Sequence, residues 1–96
     1  MRRDHAVRLS VFWSGHVQGV GFRYTAESAA LDLKLTGWVR NLPDGRVEAL
    51  VEGPEKGLKA FLDRIAQGPM KPYLQRVETH WDPATGEFDD FRVRFY

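Results

Sequence analysis

The hydrophobic residues of this chain change their period along the sequence, and the order of those changes restricts the fold more than any other feature. Over residues 7–14 apolar and polar side chains alternate, which is typical of a β-strand with one buried face. Over residues 23–35 the apolar residues recur at helical spacing, and Gly37 stands where a left-handed residue would end a helix. The sequence therefore predicts a strand followed directly by a helix.

The rest of the chain continues this alternation of patterns. Asp44-Gly45 lies between two strand-like runs and predicts a β-hairpin. In order, the predicted elements are strands at residues 38–42 and 46–52, a helix between Gly53-Pro54-Glu55 and Gly68-Pro69, and strands at residues 76–81 and 91–96. The order β-α-β-β-α-β plus a short C-terminal strand predicts an α+β, ferredoxin-like two-layer sandwich, with both helices on one face of an antiparallel sheet. The position of the last strand in the sheet stays open.

The length and composition are those of one domain. The chain has 96 residues, of which 43% are hydrophobic, which suffices for one core but not for two domains. We predict a single domain over residues 1–96, with residues 1–6 as a loose N-terminal tip. Because there is no cysteine and His5, His16 and His80 are isolated from one another, we expect neither a disulfide nor a bound metal ion.

The charges of the chain are balanced. Its 14 basic and 13 acidic residues give a formal net charge of +1, which provides no long-range attraction to nucleic acid or to a membrane surface. No apolar run approaches the roughly 18 residues of a membrane span, and no apolar segment follows Arg2-Arg3 as it would in a secretory signal. We expect a cytoplasmic protein that binds neither nucleic acid nor membrane, and a monomer, since nothing in the sequence requires assembly.

A glycine-rich segment, residues 15–23 (GHVQGVGFR), joins the first strand to the first helix. Three glycines within seven residues allow a tight curl whose successive N–H groups point into one concavity suited to an anion. The helix adds free N–H donors and its positive dipole end, and Arg23 adds a guanidinium that can hold two phosphate oxygens. These features predict a phosphate-binding loop. The alternative is a turn that needs glycine for steric reasons only, and neither the P-loop nor the dinucleotide fingerprint matches this segment.

The predicted topology brings a second residue to this loop. In a split β-α-β unit, strands one and two are parallel with strand three between them, so the end of strand two lies at the same edge as the glycine-rich loop. Asn41 stands near that strand end, and two inter-strand spacings place its backbone about 10 Å from that of Arg23. An arginine and an asparagine at this separation leave room for a phosphoryl group and one water molecule.

Two segments of the chain resemble the signatures of the acylphosphatases. Residues 15–23 are similar to the first signature, and residues 37–47, continued through Glu52-Gly53, are similar to the second. The resemblance covers about residues 7–96. It implies a small enzyme that hydrolyses the carboxyl–phosphate bond of small-molecule acyl phosphates and releases inorganic phosphate, without a cofactor or a metal.

The same resemblance implies roles for individual residues. The phosphate-binding arginine of the family maps onto Arg23, and its water-positioning asparagine maps onto Asn41. The phosphate loop of the family maps onto Gln18, Gly19, Val20, Gly21 and Phe22, which bind through their backbone amides. We expect the side chain of Gln18 to be exposed.

Taken without the resemblance, the residues leave two other classes of function open. One is a non-catalytic binding module, since ferredoxin-like folds host many of these. The other is a structural or partner-binding protein, in which the glycine-rich loop would bind no ligand. An RNA-binding module is expected to show exposed aromatic residues on its central strands and a basic surface, whereas the third predicted strand reads Val47-Glu48-Ala49-Leu50-Val51. We expect the tryptophans, Trp13, Trp38 and Trp81, in the core or at its rim.

Overall fold

A computed structural model of the chain describes residues 5–95, and within that range it has five strands, two α-helices and one short 3₁₀-helix. The elements are β1 (Ala6–Gly15), α1 (Phe22–Asp32), β2 (Thr36–Asn41), β3 (Val47–Pro54), α2 (Glu55–Gln67), the 3₁₀-helix (Lys71–Tyr73), β4 (Leu74–Pro83) and β5 (Phe91–Arg94). The predicted order is confirmed. Residues 1–4 of the predicted tip and the last residue of the predicted final strand lie outside the described residues, and Ala6 already belongs to β1.

The strands form one sheet in the order β4-β1-β3-β2-β5. β3 pairs antiparallel with both β1 and β2, so β1 and β2 are parallel to each other, as predicted. The sheet differs from the expectation in one respect: it is mixed rather than antiparallel throughout, because β5 pairs parallel with β2 along the register Gly37↔Phe91 to Arg40↔Arg94. β4 and β5 form its two edges.

The parallel pairing of β5 follows from the path of the chain after β4. β4 ends with Pro83 beside Val7, at the start of β1, and β5 begins with Phe91 beside Gly37, near the start of β2. Residues 84–90 cross this end of the sheet from one edge to the other, so the chain enters the sheet again in the direction of β2. A tight hairpin would have placed the last strand antiparallel beside β4.

A buried carboxylate holds the crossing segment in place. Glu52, whose side chain is 5% exposed, accepts hydrogen bonds from the Arg8 guanidinium at 2.7 Å, from the Thr85 backbone N–H at 2.9 Å and from the Gly86 N–H at 3.0 Å. Burial alone would raise the pKa of Glu52, but the bonds from Thr85, Arg8 and Gly86 outweigh it and bring the pKa below its usual value. The carboxylate form of Glu52 therefore stabilises the fold.

The hydrophobic core lies between the sheet and the two helices. Leu9, Val11 and Trp13 alternate along β1 and are fully buried on the helix side. The Trp13 ring contacts Phe22 of α1 and Phe61 of α2, with ring centroids 5.0 and 6.1 Å apart. Because Phe22 is the first residue of α1, these contacts fix the position where the glycine-rich loop enters the helix. Within residues 5–95, no helix is both long and apolar enough to span a membrane.

Helix α1 ends earlier than its pattern predicted. Its last residue is Asp32, and the left-handed residue is Lys34, at φ 58°, whereas Gly37 belongs to β2. The N–H of Lys34 donates to the carbonyl of Leu31, and the N–H of Leu35 donates to that of Ala30. This pair of bonds is a Schellman motif, which satisfies the terminal carbonyls of the helix. The apolar spacing in the sequence extends beyond the end of the helix because Leu35, which belongs to this cap, is also buried.

Candidate active site

The glycine-rich loop between β1 and α1 adopts the curled backbone that the sequence predicted. Gly19 has φ 80° and Gly21 has φ 81°, which lie in the left-handed region that favours glycine. Gly21 is also the residue that caps the N-terminus of α1. A Cβ atom at either glycine would meet no atom within 4 Å, so the space beside the loop is open. Both glycines are therefore required by backbone conformation, not by crowding.

The backbone N–H groups of this loop are available to a ligand. The first hydrogen bond of α1 runs from the Thr25 N–H to the Gly21 carbonyl at 3.0 Å, so the N–H groups before Thr25 precede the helical ladder. Among the well-aligned loop hydrogen bonds of residues 5–95, none has a backbone donor between Gln18 and Arg23. Several free donors thus lie together at the positive end of the α1 dipole, an arrangement that binds anions.

The side chain of Gln18 connects the loop to the β2–β3 hairpin. Its Nε2 atom donates to the backbone oxygen of Leu42 at 2.7 Å and to that of Arg46 at 2.9 Å. The expectation of an exposed side chain was wrong: Gln18 is half-buried, because these two carbonyls offer it fixed acceptors. The topology already placed the loop and the hairpin at one sheet edge, and that was the signal from which this contact could have been inferred.

Arg23 lies in the first turn of α1 and has an aromatic neighbour. Its guanidinium carbon is 4.8 Å from the centroid of the Phe95 ring, within the range of a cation–π contact. Within residues 5–95 no carboxylate forms an ion pair with Arg23. Sequence reasoning missed Phe95, because the position of β5 was not known. The guanidinium therefore keeps its charge available for an anionic ligand.

Asn41 is the last residue of β2 and pairs with Val47 of β3. Val39 is buried on the helix side of β2, and Arg40 lies on the other side of the strand. Because side chains alternate along a strand, Asn41 points toward the helix side, where α1 begins. Among the described residues, its carboxamide has no hydrogen-bond partner, although the side chain is partly buried. Continuing the β2–β5 register by one residue brings Phe95 beside Asn41.

Contacts thus link the sequence-predicted residues from two sides. Gln18 joins the loop to Leu42, which directly follows Asn41, and Arg23 contacts Phe95, which directly follows β5, the strand paired with β2. Chemically, the arrangement offers N–H donors and a guanidinium for an oxyanion, and a carboxamide that can both donate to and accept from water.

The acidic residue nearest to Asn41 in sequence is engaged in its own turn. Asp44 accepts a hydrogen bond from the Arg46 backbone N–H at 3.1 Å and another from the Arg46 guanidinium at 2.9 Å. These bonds, the backbone one foremost, lower the pKa of the Asp44 carboxyl below its usual value. Asp44 is thus a turn residue rather than a proton acceptor for the site. Across residues 5–95, no group of three or more histidine and acidic side chains has the geometry to hold a metal ion.

Comparison with known proteins gives one consistent result. The Acylphosphatase family model matches residues 9–93. The chain is 51% identical over 86 residues to an acylphosphatase of Marinobacter nauticus (90% of this chain, 94% of the relative), and 44% identical over 94 residues to one of Nocardia farcinica (95% and 94%). The crystal structure of acylphosphatase from Bacillus subtilis superposes with a TM-score of 0.86 at 34% identity, covering 92% of this chain and 98% of that one. An acylphosphatase structure from Coxiella burnetii gives a TM-score of 0.84 at 32% identity, covering 98% and 100%.

These matches confirm the resemblance inferred from the two signatures, and they favour an enzyme over a non-catalytic binding module. The ferredoxin-like sandwich is likewise that of the solved acylphosphatases. On the family match and on identities above 40% over nearly its whole length, this chain belongs to the acylphosphatase family of hydrolases.

Proposed function

We propose that this protein hydrolyses acyl phosphates to a carboxylate and inorganic phosphate by direct in-line attack of water on phosphorus. The observation that carries the proposal is Arg23, a guanidinium with no carboxylate partner among residues 5–95, placed at the end of a loop with free N–H groups. We further propose that the chain performs this reaction as a single domain.

The phosphoryl group binds in the glycine-rich loop. The backbone N–H groups of Gln18, Gly19, Val20, Gly21 and Phe22 donate to its oxygens, and Arg23 contributes two parallel charge-assisted hydrogen bonds. A loose phosphoryl-transfer transition state carries its charge on the three equatorial oxygens. Donors fixed around those oxygens stabilise that charge, and this is the main rate-enhancing term of the mechanism.

Asn41 positions the attacking water. Its carboxamide has an acceptor oxygen and donor N–H groups, so it can orient one water molecule in two directions. The water must lie opposite the leaving oxygen for in-line displacement, and alignment of this kind lowers the barrier without any change in the bonds themselves. Gln18 supports the alignment by holding the loop against the residue that follows Asn41.

The leaving group needs no acid from the protein. The departing carboxylate has a conjugate-acid pKa of roughly 4, so it leaves as a stable anion at neutral pH. Attack on a loose transition state also makes little demand on a base. The proton of the attacking water passes to a phosphate oxygen of the substrate, so atoms and charges balance with no protein group changing its protonation state.

The test follows hydrolysis of benzoyl phosphate by the wild-type protein in water enriched in oxygen-18. The mechanism predicts the label in inorganic phosphate, because water attacks phosphorus and the P–O bond breaks. Label in benzoate would show attack on the carbonyl carbon and would overturn the mechanism.

The matched variants are Arg23→Ala and Arg64→Ala. Removing one preorganised charge-stabilising donor typically lowers the rate about 10²–10³-fold, and we expect Arg23→Ala to raise KM and lower kcat. Arg64 pairs with Asp32 on the helix surface, and its loss should leave both constants unchanged. Free phosphate should inhibit the wild type competitively and the Arg23→Ala variant much more weakly.

A further inference from the structure

The edge strand β4 is exposed to an unusual extent. It is ten residues long, pairs only with β1, and every residue after Leu74 is exposed on both faces of the sheet. The helix layer covers β4 only in part, because α2 packs mainly on β3 and β1, with Glu55 and Lys59 beside Trp81 at one end of β4. The opposite edge strand, β5, has four residues, and its first residue is buried. A long open edge presents a row of unpaired backbone groups to a further strand.

The helix-side residues of β4 are apolar or weakly polar. Val77, Thr79 and Trp81 pair with the buried residues Trp13, Val11 and Leu9 of β1, so they lie on the helix side. Val77 is nevertheless 42% exposed, and Trp81 is 40% exposed. Their apolar surface lies beside the core and is only partly covered by residues 5–95.

The other face of β4 carries charges in a regular order. Arg76, Glu78, His80 and Asp82 alternate with the apolar residues and lie on the sheet face away from the helices. Basic and acidic residues alternate along this face. Glu78 and His80 lie one residue to either side of Thr79, and Arg76 and Asp82 lie three residues to either side, so each pair joins a basic and an acidic residue.

We propose that β4 pairs antiparallel with β4 of a second copy of this chain, about a two-fold axis that passes beside Thr79 and perpendicular to the sheet. This arrangement joins two five-stranded sheets into one, with all helices on the same side. It places Arg76 opposite Asp82 of the partner subunit and Glu78 opposite His80 of the partner subunit. Each of these pairs occurs twice, because the axis makes the interface isologous.

The helix side of the same register is equally complementary. Val77 lies opposite Trp81 of the partner subunit, and Thr79 lies opposite Thr79 of the partner subunit. Aromatic–β-branched and Thr–Thr pairs are among the favourable cross-strand pairs of antiparallel sheets. The pairing also covers the apolar surface of Val77 and Trp81 that the helices leave open.

Moving the two-fold axis by one residue in either direction is unfavourable. An axis at Glu78 would place that carboxylate opposite its own copy, and an axis at His80 would place Glu78 opposite Asp82 of the partner subunit. Like charges directly opposite each other destabilise a sheet. Residues 74–82 contain no proline, glycine or lysine, the residues that commonly prevent edge pairing, and the one proline of β4, Pro83, is its last residue.

The first experiment is sedimentation equilibrium of the wild-type chain over a range of loading concentrations. We expect the weight-average mass to rise from that of one chain toward twice that value and no further. Arg76→Glu should abolish the rise by placing a second carboxylate opposite Asp82 of the partner subunit, and adding Asp82→Arg should restore it. Arg64→Glu, which makes the same charge change on the helix surface, is the control.

The second experiment reads the register directly, because the natural chain has no cysteine. Opposite Cα atoms in an antiparallel pair are about 4.5–5.5 Å apart, within disulfide range, whereas His80 and its copy would be about 8 Å apart, beyond it. Thr79→Cys should therefore form a disulfide-linked dimer about tenfold faster than His80→Cys under the same oxidant. A mixture of Glu78→Cys and His80→Cys chains should form the mixed dimer.

Either of two results would overturn the proposal. One is a wild-type chain that stays at the mass of a single chain at every concentration. The other is equal rates of cross-linking for Thr79→Cys and His80→Cys, which would indicate random collision or a different interface.

Discussion

Gln18 and Leu42 lie 24 positions apart in the sequence, yet the Nε2 atom of Gln18 donates to the Leu42 backbone oxygen at 2.7 Å. This bond, with the second one to Arg46, ties the proposed phosphate loop to the strand end that carries Asn41. The loop and the water-positioning residue are therefore held by one side chain, and their separation depends on it.

We expect Gln18→Met to lower kcat/KM about tenfold to a hundredfold, because small misplacements of reacting groups have effects of that size. Stability should change little, since Leu42 O still accepts from Gly45 N–H and Arg46 O from Leu42 N–H. Steady-state hydrolysis of benzoyl phosphate and urea unfolding measure the two quantities.

The same variant shows whether Gln18 acts through Asn41. Combined with Asn41→Ala, Gln18→Met should lower kcat much less than it does alone, because the water is then no longer positioned. Full additivity of the two effects would contradict a positioning role.

For Asn41 we expect a change in turnover rather than in affinity. Asn41→Ala should lower kcat and leave the inhibition constant of free phosphate nearly unchanged, because the carboxamide contacts water and not the bound anion. Asn41→Asp, which keeps the shape and adds a charge, should weaken phosphate binding as well. Intact turnover with weaker phosphate binding in Asn41→Ala would contradict the assigned role.

Phe95 should hold the Arg23 guanidinium in place before substrate binds. An exposed cation–π contact contributes about 0.5–1 kcal/mol, so Phe95→Leu should raise the phosphate inhibition constant about two- to fivefold. Phe95→Tyr keeps the aromatic face and should behave like the wild type. The same loss in both variants would contradict a cation–π role for the ring.

Acid should weaken the fold through Glu52. Its folded-state pKa is lowered, so its contribution is complete above the unfolded pKa of about 4.3 and disappears as the pH falls through the folded value. Glu52→Gln should cost about 2 kcal/mol of unfolding free energy at neutral pH, since several charge-assisted hydrogen bonds are lost.

The pH profile distinguishes this effect from a general packing defect. The difference in unfolding free energy between the wild type and Glu52→Gln should shrink on acidification below about pH 5, as urea titrations would show. A difference independent of pH would contradict it. Glu52 pairs with Thr36 at the end of the sheet opposite Asn41, so kcat should not change.

Helix α1 and the loop before it show how much of the fold local sequence patterns can predict. Alternation in β1, helical spacing in α1 and the glycines between them were enough to predict the strand, the helix and the curled backbone of the loop between them. The end of α1 was misplaced because Leu35 satisfies the apolar pattern while belonging to the cap.

The amino-acid sequence by itself determined the order of elements and the residue types at the proposed site, because hydrophobic period, glycine conformation and side-chain chemistry are local properties. Only the tertiary structure decided that β5 lies parallel to β2, that Phe95 meets Arg23, and that Glu52 binds Thr85, 33 positions away. The physical reason is that such contacts depend on the path of residues 84–90 across the sheet. Neither periodicity nor composition encodes that path, which is selected by the packing of the whole chain.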